Sequence, residues 1–385
     1  MRRFRFTLFA FLLISTSVFS SVQKKTVCLN MIVKNESTVI RRSLASVKPL
    51  IDYWVIVDTG STDGTQEIIR EFMKDIPGEL YESPWFNFEY NRNEALHYAK
   101  GKTDYILFID ADEEFVYDED FVLPDLDKDL YSITTSNHGK RYQRSLLING
   151  DLDWKWVGVI HEYLDCPQVR SREILPGVTN IYRSEGCRSQ DPDKFHKDAK
   201  ILEEALEKDP NNSRYVFYLA QSYRDAGVYE KAIENYQKRV EMGGWDQEVF
   251  WAKYQIARLK EWLNAPEKEV IKSYTEAFCY RPSRAEPLYH LSRYFRTKEE
   301  FFLGYLAAGR GLEVPLSNDI LFVYRWIYDY SLLIERAVCA YWIGQYEECC
   351  TLSESVLQMP NLPENVKECA ESNLKWAQSK LASNN

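Results

Sequence analysis

The chain has 385 residues, enough for two ordinary domains and too many for one small core. Its 48 basic residues stand against 58 acidic ones, a net charge near −10 that argues against polyanions as main partners and sets nucleic acid aside. The cysteines (Cys28, Cys166, Cys187, Cys279, Cys339, Cys349, Cys350, Cys369) form no Cys-x-x-Cys pair and neither require nor exclude an oxidising compartment.

Residues 1–21 carry a basic start, Met1 to Arg5, an apolar run from Phe6 to Phe19, and the small residues Ser20 and Ser21. That layout predicts a cleaved secretory signal peptide, with a short uncleaved anchor as the alternative, and so a place in the secretory pathway or cell envelope more than in the cytosol.

From Thr26 onward, apolar strands alternate with amphipathic helical stretches, the pattern of an α/β domain. Strands are expected at Thr26–Val33, Tyr53–Val57 and Asp104–Ile109, and helices at Glu36–Leu50, Gly64–Lys74 and Asn91–Ala99. Later extended runs are expected at Tyr131–Thr135, Arg144–Ile148, Val157–Leu164 and Val178–Tyr182. After Asp191 the turn-rich strands give way to helical periodicity with abundant tyrosine. Helices Arg214–Arg224 and Tyr229–Glu241 flank Asp225-Ala-Gly227, and small or aromatic positions recur at Tyr218/Ala220, Tyr254/Ala257 and Tyr289/Ser292. That spacing is close to the roughly 34 residues of a tetratricopeptide unit, whose helix pairs bury their apolar faces only by stacking.

Three segments place polar chemistry at strand ends and a fourth at a helix start. In Tyr105-Ile-Leu-Phe-Ile-Asp110-Ala-Asp112-Glu113-Glu114 a buried-strand pattern stops in a cluster of carboxylates, where open α/β sheets place their ligands. Asp-x-Asp recurs elsewhere in this acidic chain, for example at Asp118/Asp120, but there it follows no hydrophobic strand. Such hard oxygen donors suit Mn²⁺ or Mg²⁺, shared with the phosphates of a substrate. The first strand runs out into Lys34, Asn35 and Glu36, and the second into Asp58-Thr-Gly60-Ser-Thr-Asp63-Gly64. A carboxylate there can accept hydrogen bonds from ribose or base, and glycine allows close approach, although Ser61 and Asp63 also read as helix caps. Arg92 and Asn93 fall in the first turn of the third helix, where an arginine can stack on a base or reach a phosphate.

The series Met-Ile-Val-Lys34-Asn35-Glu36, Val-Asp58-Thr-Gly60-Ser-Thr-Asp63-Gly-Thr, Asn91-Arg92-Asn93-Glu-Ala-Leu and Phe-Ile-Asp110-Ala-Asp112-Glu resembles glycosyltransferase family 2. Within it, the chain is most similar to the branch fused to tetratricopeptide repeats, which includes peptide S-glycosyltransferases. The resemblance implies a GT-A, Rossmann-like nucleotide-sugar-binding fold and an inverting, metal-dependent transfer, of hexosyltransferase type, from a nucleotide-diphosphate sugar such as a UDP-sugar. By motif, Asp58 would contact the nucleoside, Arg92 the donor nucleotide, and Asp110 and Asp112 the ribose, metal and diphosphate. Lys34, Asn35, Glu36, Gly60, Asp63 and Asn93 would line the donor. In Trp156-Val-Gly-Val-Ile-His161-Glu162-Tyr163, Glu162 is the candidate base, with a salt-bridge partner as the alternative. His161 would be a further metal ligand or a diphosphate contact. Two departures stand out: the α/β part is short, and Asn91 occupies a place where the branch often has a small residue.

The expected organisation is a signal or anchor at 1–21, a family 2 domain at 26–190 and a tetratricopeptide-like helical domain at 192–385. The helical domain is expected to position a glycan or protein acceptor, or to hold a protein partner. A fragment ending near Arg188 should then stay soluble and still bind nucleotide. The competing reading is a protein-binding scaffold that carries an inactive transferase-like domain.

Overall fold

In the computed structural model residues 24–137 and 139–383 are described, so the signal expected at 1–21 lies outside the described residues. The first half runs β1 (Val27–Val33), α1 (Ile40–Val47), β2 (Tyr53–Asp58), α2 (Thr65–Phe72), β3 (Gly78–Glu82), α3 (Phe88–Ala99), β4 (Tyr105–Phe108), β5 (Glu113–Tyr117), β6 (Leu130–Asn137), β7 (Lys140–Asn149), β8 (Lys155–Val157), β9 (Tyr163–Asp165) and β10 (Arg172–Tyr182). A 3₁₀ turn at Cys187–Gln190 leads into the helices α4 (Lys194–Lys208), α5 (Ser213–Asp225), α6 (Tyr229–Met242), α7 (Asp246–Trp262), α8 (Glu267–Tyr280), α9 (Glu286–Thr297) and α10 (Phe301–Leu312). After β11 (Val323–Tyr324) the chain closes with α11 (Leu332–Trp342), α12 (Tyr346–Leu357) and α13 (Glu364–Ser383).

The main sheet has the order β3-β2-β1-β4-β7-β6-β10-β5, with β11 attached to β7. Its first half is parallel: β1 pairs with β2 and β4, Val33 lies opposite Asp58, and Asn30 lies opposite Phe108. The apolar run of β1 is buried almost throughout, as a central parallel strand covered on both faces requires. Because the three strands run the same way, their carboxyl ends deliver Lys34–Glu36, Asp58 and Asp110–Asp112 to one edge.

Two expectations need correction. The run Val157–Leu164 is a hairpin of β8 and β9, broken by positive φ at Gly158 (+115°) and His161 (+53°), so Glu162 sits in a turn. The boundary between 190 and 192 marks a change of secondary structure without separating two independent bodies. β11, from the helical part, pairs with β7 of the sheet, and Gln143 N donates to Ile320 O at 3.0 Å. Ile160, from the β8–β9 turn, belongs to the buried apolar cluster of the helices, with Leu202, Phe217 and Trp251. A chain cut near Arg188 would lose β11 and leave Ile160 without its neighbours from the helices. Among the described residues no helix is long and apolar enough to cross a membrane.

Candidate active site

At the end of β2, Asp58 is 1% exposed. Its Oδ1 accepts from the backbone N–H groups of Gly60 (2.9 Å) and Ser61 (2.7 Å), shaping a loop in which Gly60 takes φ +107°. Its Oδ2 is buried and has no hydrogen-bond partner among the described residues. An acceptor left bare in this way costs free energy, and a ligand donor placed there would recover it.

The neighbouring loop is cross-braced. Asn35 N donates to Ser61 Oγ (2.8 Å) and Thr62 N to Asn35 Oδ1 (2.8 Å), so Asn35, at φ +56°, shapes backbone. Asp63 accepts from Ser37 N (3.0 Å), Thr65 N (3.1 Å) and Thr65 Oγ1 (2.6 Å). Burial raises its pKa, but the hydrogen bonds from Thr65 and Ser37 outweigh it and bring the group to about 2. The capping role of Asp63 is therefore the one visible, and Lys34 is exposed.

Asp110 lies at the centre. Arg92 NH2 reaches its Oδ1 at 2.7 Å and Arg144 NH2 its Oδ2 at 3.2 Å. Arg92 Nε donates to Glu162 Oε1, and Arg144 NH1 donates to Glu113 Oε1. Arg92, 7% exposed, also lies over the Trp156 ring at 5.0 Å. Burial favours a protonated Asp110, yet the two guanidinium groups override it and hold its pKa well below the usual carboxylate range. Glu113 goes the other way: burial and, among its neighbours, Asp110 push it up to about 7 against the pull of Arg144.

Asp112 and Glu36 form an under-compensated acidic corner. The 3₁₀ turn after β10 crosses them, with Gly186 N 3.4 Å and Ser189 Oγ 3.5 Å from Asp112 Oδ2, and Cys187 N 3.3 Å from both Glu36 oxygens. Burial and Asp110 raise the Asp112 pKa. Burial, then the carboxylates of Asp112, Asp63 and Asp110, push Glu36 up to about 7. Carboxylates that crowd and repel one another in this way favour a bound cation.

Several expected roles change. Among the described residues no group of three His, Cys, Asp or Glu side chains is arranged to hold a metal. Both Asp110 oxygens are taken by arginines, leaving Asp112, with Glu36 beside it, as the carboxylate suited to Mn²⁺ or Mg²⁺. The guanidinium of Arg92 pairs with Asp110 and Glu162 and so organises the carboxylates. It stands in the second turn of a helix that begins at Phe88. Asn93 ties β8 down, donating to Trp156 O (2.9 Å) and accepting from Trp156 N (2.9 Å), instead of facing a donor. Asn91 is buried and pins the preceding loop, accepting from Phe86 N (2.9 Å) and donating to Pro84 O (3.1 Å).

The helices enter the site through the turn that carries Glu162. Arg214 NH2 donates to His161 O at 2.8 Å, and the His161 ring stacks on Tyr218 with centroids 4.0 Å apart. His161 is exposed as a residue. Desolvation, then the cations of Arg214, Lys194 and Arg188, lower its pKa, so it is neutral at pH 7. Glu113 belongs to the carboxylate cluster noted in the sequence, whereas Arg144, Arg214 and the turn at Gly186–Cys187 were not singled out there. Arg144 alone carried a usable signal, a cation in a strand-like run.

Residues 28–131 match the family described as Glycosyl transferase family 2. The SPbeta prophage-derived glycosyltransferase SunS of Bacillus subtilis (strain 168) is 25% identical over 245 residues, covering 56% of this chain and 53% of that one. An uncharacterized glycosyltransferase of Rickettsia felis is 25% identical over 236 residues, covering 57% of this chain and 77% of its own. The chain thus spans about half the length of the curated relative named first. A tetratricopeptide repeat protein from Parabacteroides merdae superposes with a TM-score of 0.38 at 15% identity, covering 50% of this chain and 70% of that one. The chain is thus similar to glycosyltransferase family 2 over residues 28–131 and continues, from Lys194, into a run of helices.

Proposed function

We propose that the protein is an inverting, metal-dependent glycosyltransferase of hexosyltransferase type that moves a sugar from a nucleotide-diphosphate donor, a UDP-sugar, to a glycan or protein acceptor. The observation that carries this reading is the bare, buried Oδ2 of Asp58 at the end of β2, on the same sheet edge as Asp110. A nucleoside N–H or O–H supplies the missing donor there. Arg188 is paired with Asp198, and the cations of Lys194 and Arg214 near His161 favour the diphosphate.

In this account Arg92 fixes Glu162 through Oε1 and leaves Oε2 to take the proton from the acceptor nucleophile as it attacks the anomeric carbon. The bond to the diphosphate breaks on the opposite face, so the configuration inverts, and the proton passes from Glu162 to solvent. A divalent ion held at Asp112 would offset the charge growing on the leaving diphosphate. Arg92 and Arg144 keep Asp110 ionised and the carboxylates in place.

Calorimetry with UDP, with and without Mn²⁺, tests the reading, using Asp58→Asn as the comparison. Asparagine keeps the acceptor that Gly60 and Ser61 need and removes the charge and the free lone pairs of Oδ2. Metal-dependent UDP binding that weakens about tenfold or more in Asp58→Asn is expected. No UDP binding in either condition removes the proposal. A screen of UDP- and GDP-sugars for donor hydrolysis then identifies the sugar.

A further inference from the structure

Among the helices, a cavity of about 300 Å³ opens between α9, α11 and α13. None of its lining residues belongs to the candidate active site. Three of them, Tyr289, Trp326 and Tyr330, are half-buried aromatics. Glu335 and Ser331 are buried, and Asn365, in the first turn of α13, is exposed.

Local structure explains these walls. Between β11 and α11 the chain makes a π-helical turn, Ile327–Ser331, in which Leu332 N donates to Ile327 O, five residues back. Such single wide turns are rare and are found frequently at functional sites. This one brings Tyr330 and Ser331 to the cavity. Trp326, just before the turn, meets Tyr289 of α9 edge-to-face, with ring centroids 5.2 Å apart and planes at 89°, so the two rings form a corner. Trp326 is also backed by the sheet, because a Cβ at Gly139, in the turn between β6 and β7, would lie 2.9 Å from its Cδ1.

The polar groups complete the picture. Glu335 accepts from Arg296 Nε at 2.6 Å and from NH2 at 3.0 Å, each through a different oxygen. The fork balances the charge and fixes the carboxylate, and each oxygen keeps a lone pair for another donor. The hydroxyls of Tyr289, Tyr330 and Ser331 and the amide of Asn365 make no side-chain hydrogen bond among the described residues. Aromatic faces are negative and attract weakly positive C–H groups. A pyranose offers both matching surfaces, C–H groups on its faces and hydroxyls around its edge. A cation would meet Arg296 and an anion Glu335, while an alkyl chain would take water from the ion pair and return no hydrogen bond. The volume lies at the lower end for ligand pockets and suits a single ring.

We infer that this cavity is a carbohydrate-binding site, separate from the transfer centre, that takes one neutral pyranose ring between Trp326, Tyr289 and Tyr330 and holds its hydroxyls on Glu335, Ser331 and Asn365. The inference goes beyond the glycosyltransferase reading and does not depend on it. Gly139, against which Trp326 packs, precedes Arg144 by five positions, roughly 17 Å of strand, so the bound ring is not the one at the candidate base.

The test uses the full chain and saturation-transfer difference NMR with the methyl glycosides of glucose, galactose, mannose and N-acetylglucosamine, each in the presence of excess UDP and Mg²⁺. At least one is expected to bind, and to lose about tenfold or more in affinity in Tyr330→Ala, as loss of a stacked ring does. Val366→Trp, which fills the cavity from the α13 wall, should abolish binding. Thermal melting shows which variants fold, and Asn365→Ala, at an exposed position, carries the test if the others do not, with an expected loss of about three- to tenfold. Binding of none of these glycosides overturns the site, and so do folded variants that bind as the unsubstituted chain does. Tighter binding of methyl glucuronide or methyl glucosaminide than of every neutral glycoside overturns the assignment to a neutral ring. Calorimetry with UDP reports separately on the enzyme: UDP binding without glycoside binding removes the site and keeps the transferase, and glycoside binding without UDP binding keeps the site and removes the transferase.

Discussion

The imidazole of His161 lies flat on the ring of Tyr218, centroids 4.0 Å apart and planes 12° from parallel. One ring belongs to the turn next to Glu162, the other to the first helix pair. The backbone carbonyl of His161 is also held by Arg214, and His161 itself takes φ +53°, a conformation that a non-glycine residue adopts only when its surroundings enforce it. The helices therefore position the candidate base.

Tyr218→Ala and Arg214→Ala should each lower the rate of transfer or donor hydrolysis by about 10–100-fold while leaving the KM for donor nearly unchanged, since small misplacement of a reacting group is costly in rate. Tyr218→Phe keeps the stacked ring and should retain most activity. A rise in KM with no change in kcat would instead place these residues in donor binding.

Glu36 sets a pH dependence. Its pKa in the folded chain is raised from 4.5 to about 7, so the folded state binds the proton more tightly than the unfolded chain. The resulting stabilisation is fully present below about pH 4.5 and is lost as pH rises through about 7. Glu36→Gln should therefore raise the melting temperature at pH 8, where it removes repulsion with Asp112, Asp63 and Asp110, and change it little at pH 4.5. Equal shifts at both pH values in thermal melts would contradict this.

Arg144→Met leaves Asp110 short of one partner and Glu113, on a residue 1% exposed, without its cation. Removing one partner of a buried ion pair costs about 3–5 kcal/mol. Urea unfolding should show a loss of that order. A change below about 1 kcal/mol would mean that Glu113 simply takes up a proton and the pair adds little.

A chain ending near Arg188 should aggregate or unfold, because it lacks β11 and uncovers Ile160. Solubility and a cooperative melt in that fragment would restore the view of two independent domains.

The sequence was most legible where burial is complete on both faces. The central strands β1, β2 and β4 are continuous apolar runs, and their carboxyl ends could be aligned by fold class alone. β3 was missed because Gly78–Glu82 is short and half-exposed, with no apolar face to read. β5 was hidden because its first residue is Glu113, a carboxylate buried only through Arg144, and an ion pair across 31 positions leaves no local pattern. Val157–Leu164 looked like one strand, since nothing local signals that His161 turns the chain where tertiary contacts enforce it. In the candidate site, residue types were read well and partners poorly. Asp58 and Asp110 were placed at strand ends, but the division of Asp110 between Arg92 and Arg144, and the reach of α5 to His161, depend on how distant segments dock.

Glu162→Gln tests the central claim most directly. The measurement is the rate of donor hydrolysis under saturating UDP-sugar with Mn²⁺, alongside UDP affinity by calorimetry. A fall of about 10²–10⁴-fold in rate is expected, with UDP affinity within about threefold of the unsubstituted chain. An undiminished rate, or a loss of UDP affinity as large as the loss of rate, would contradict Glu162 as the base.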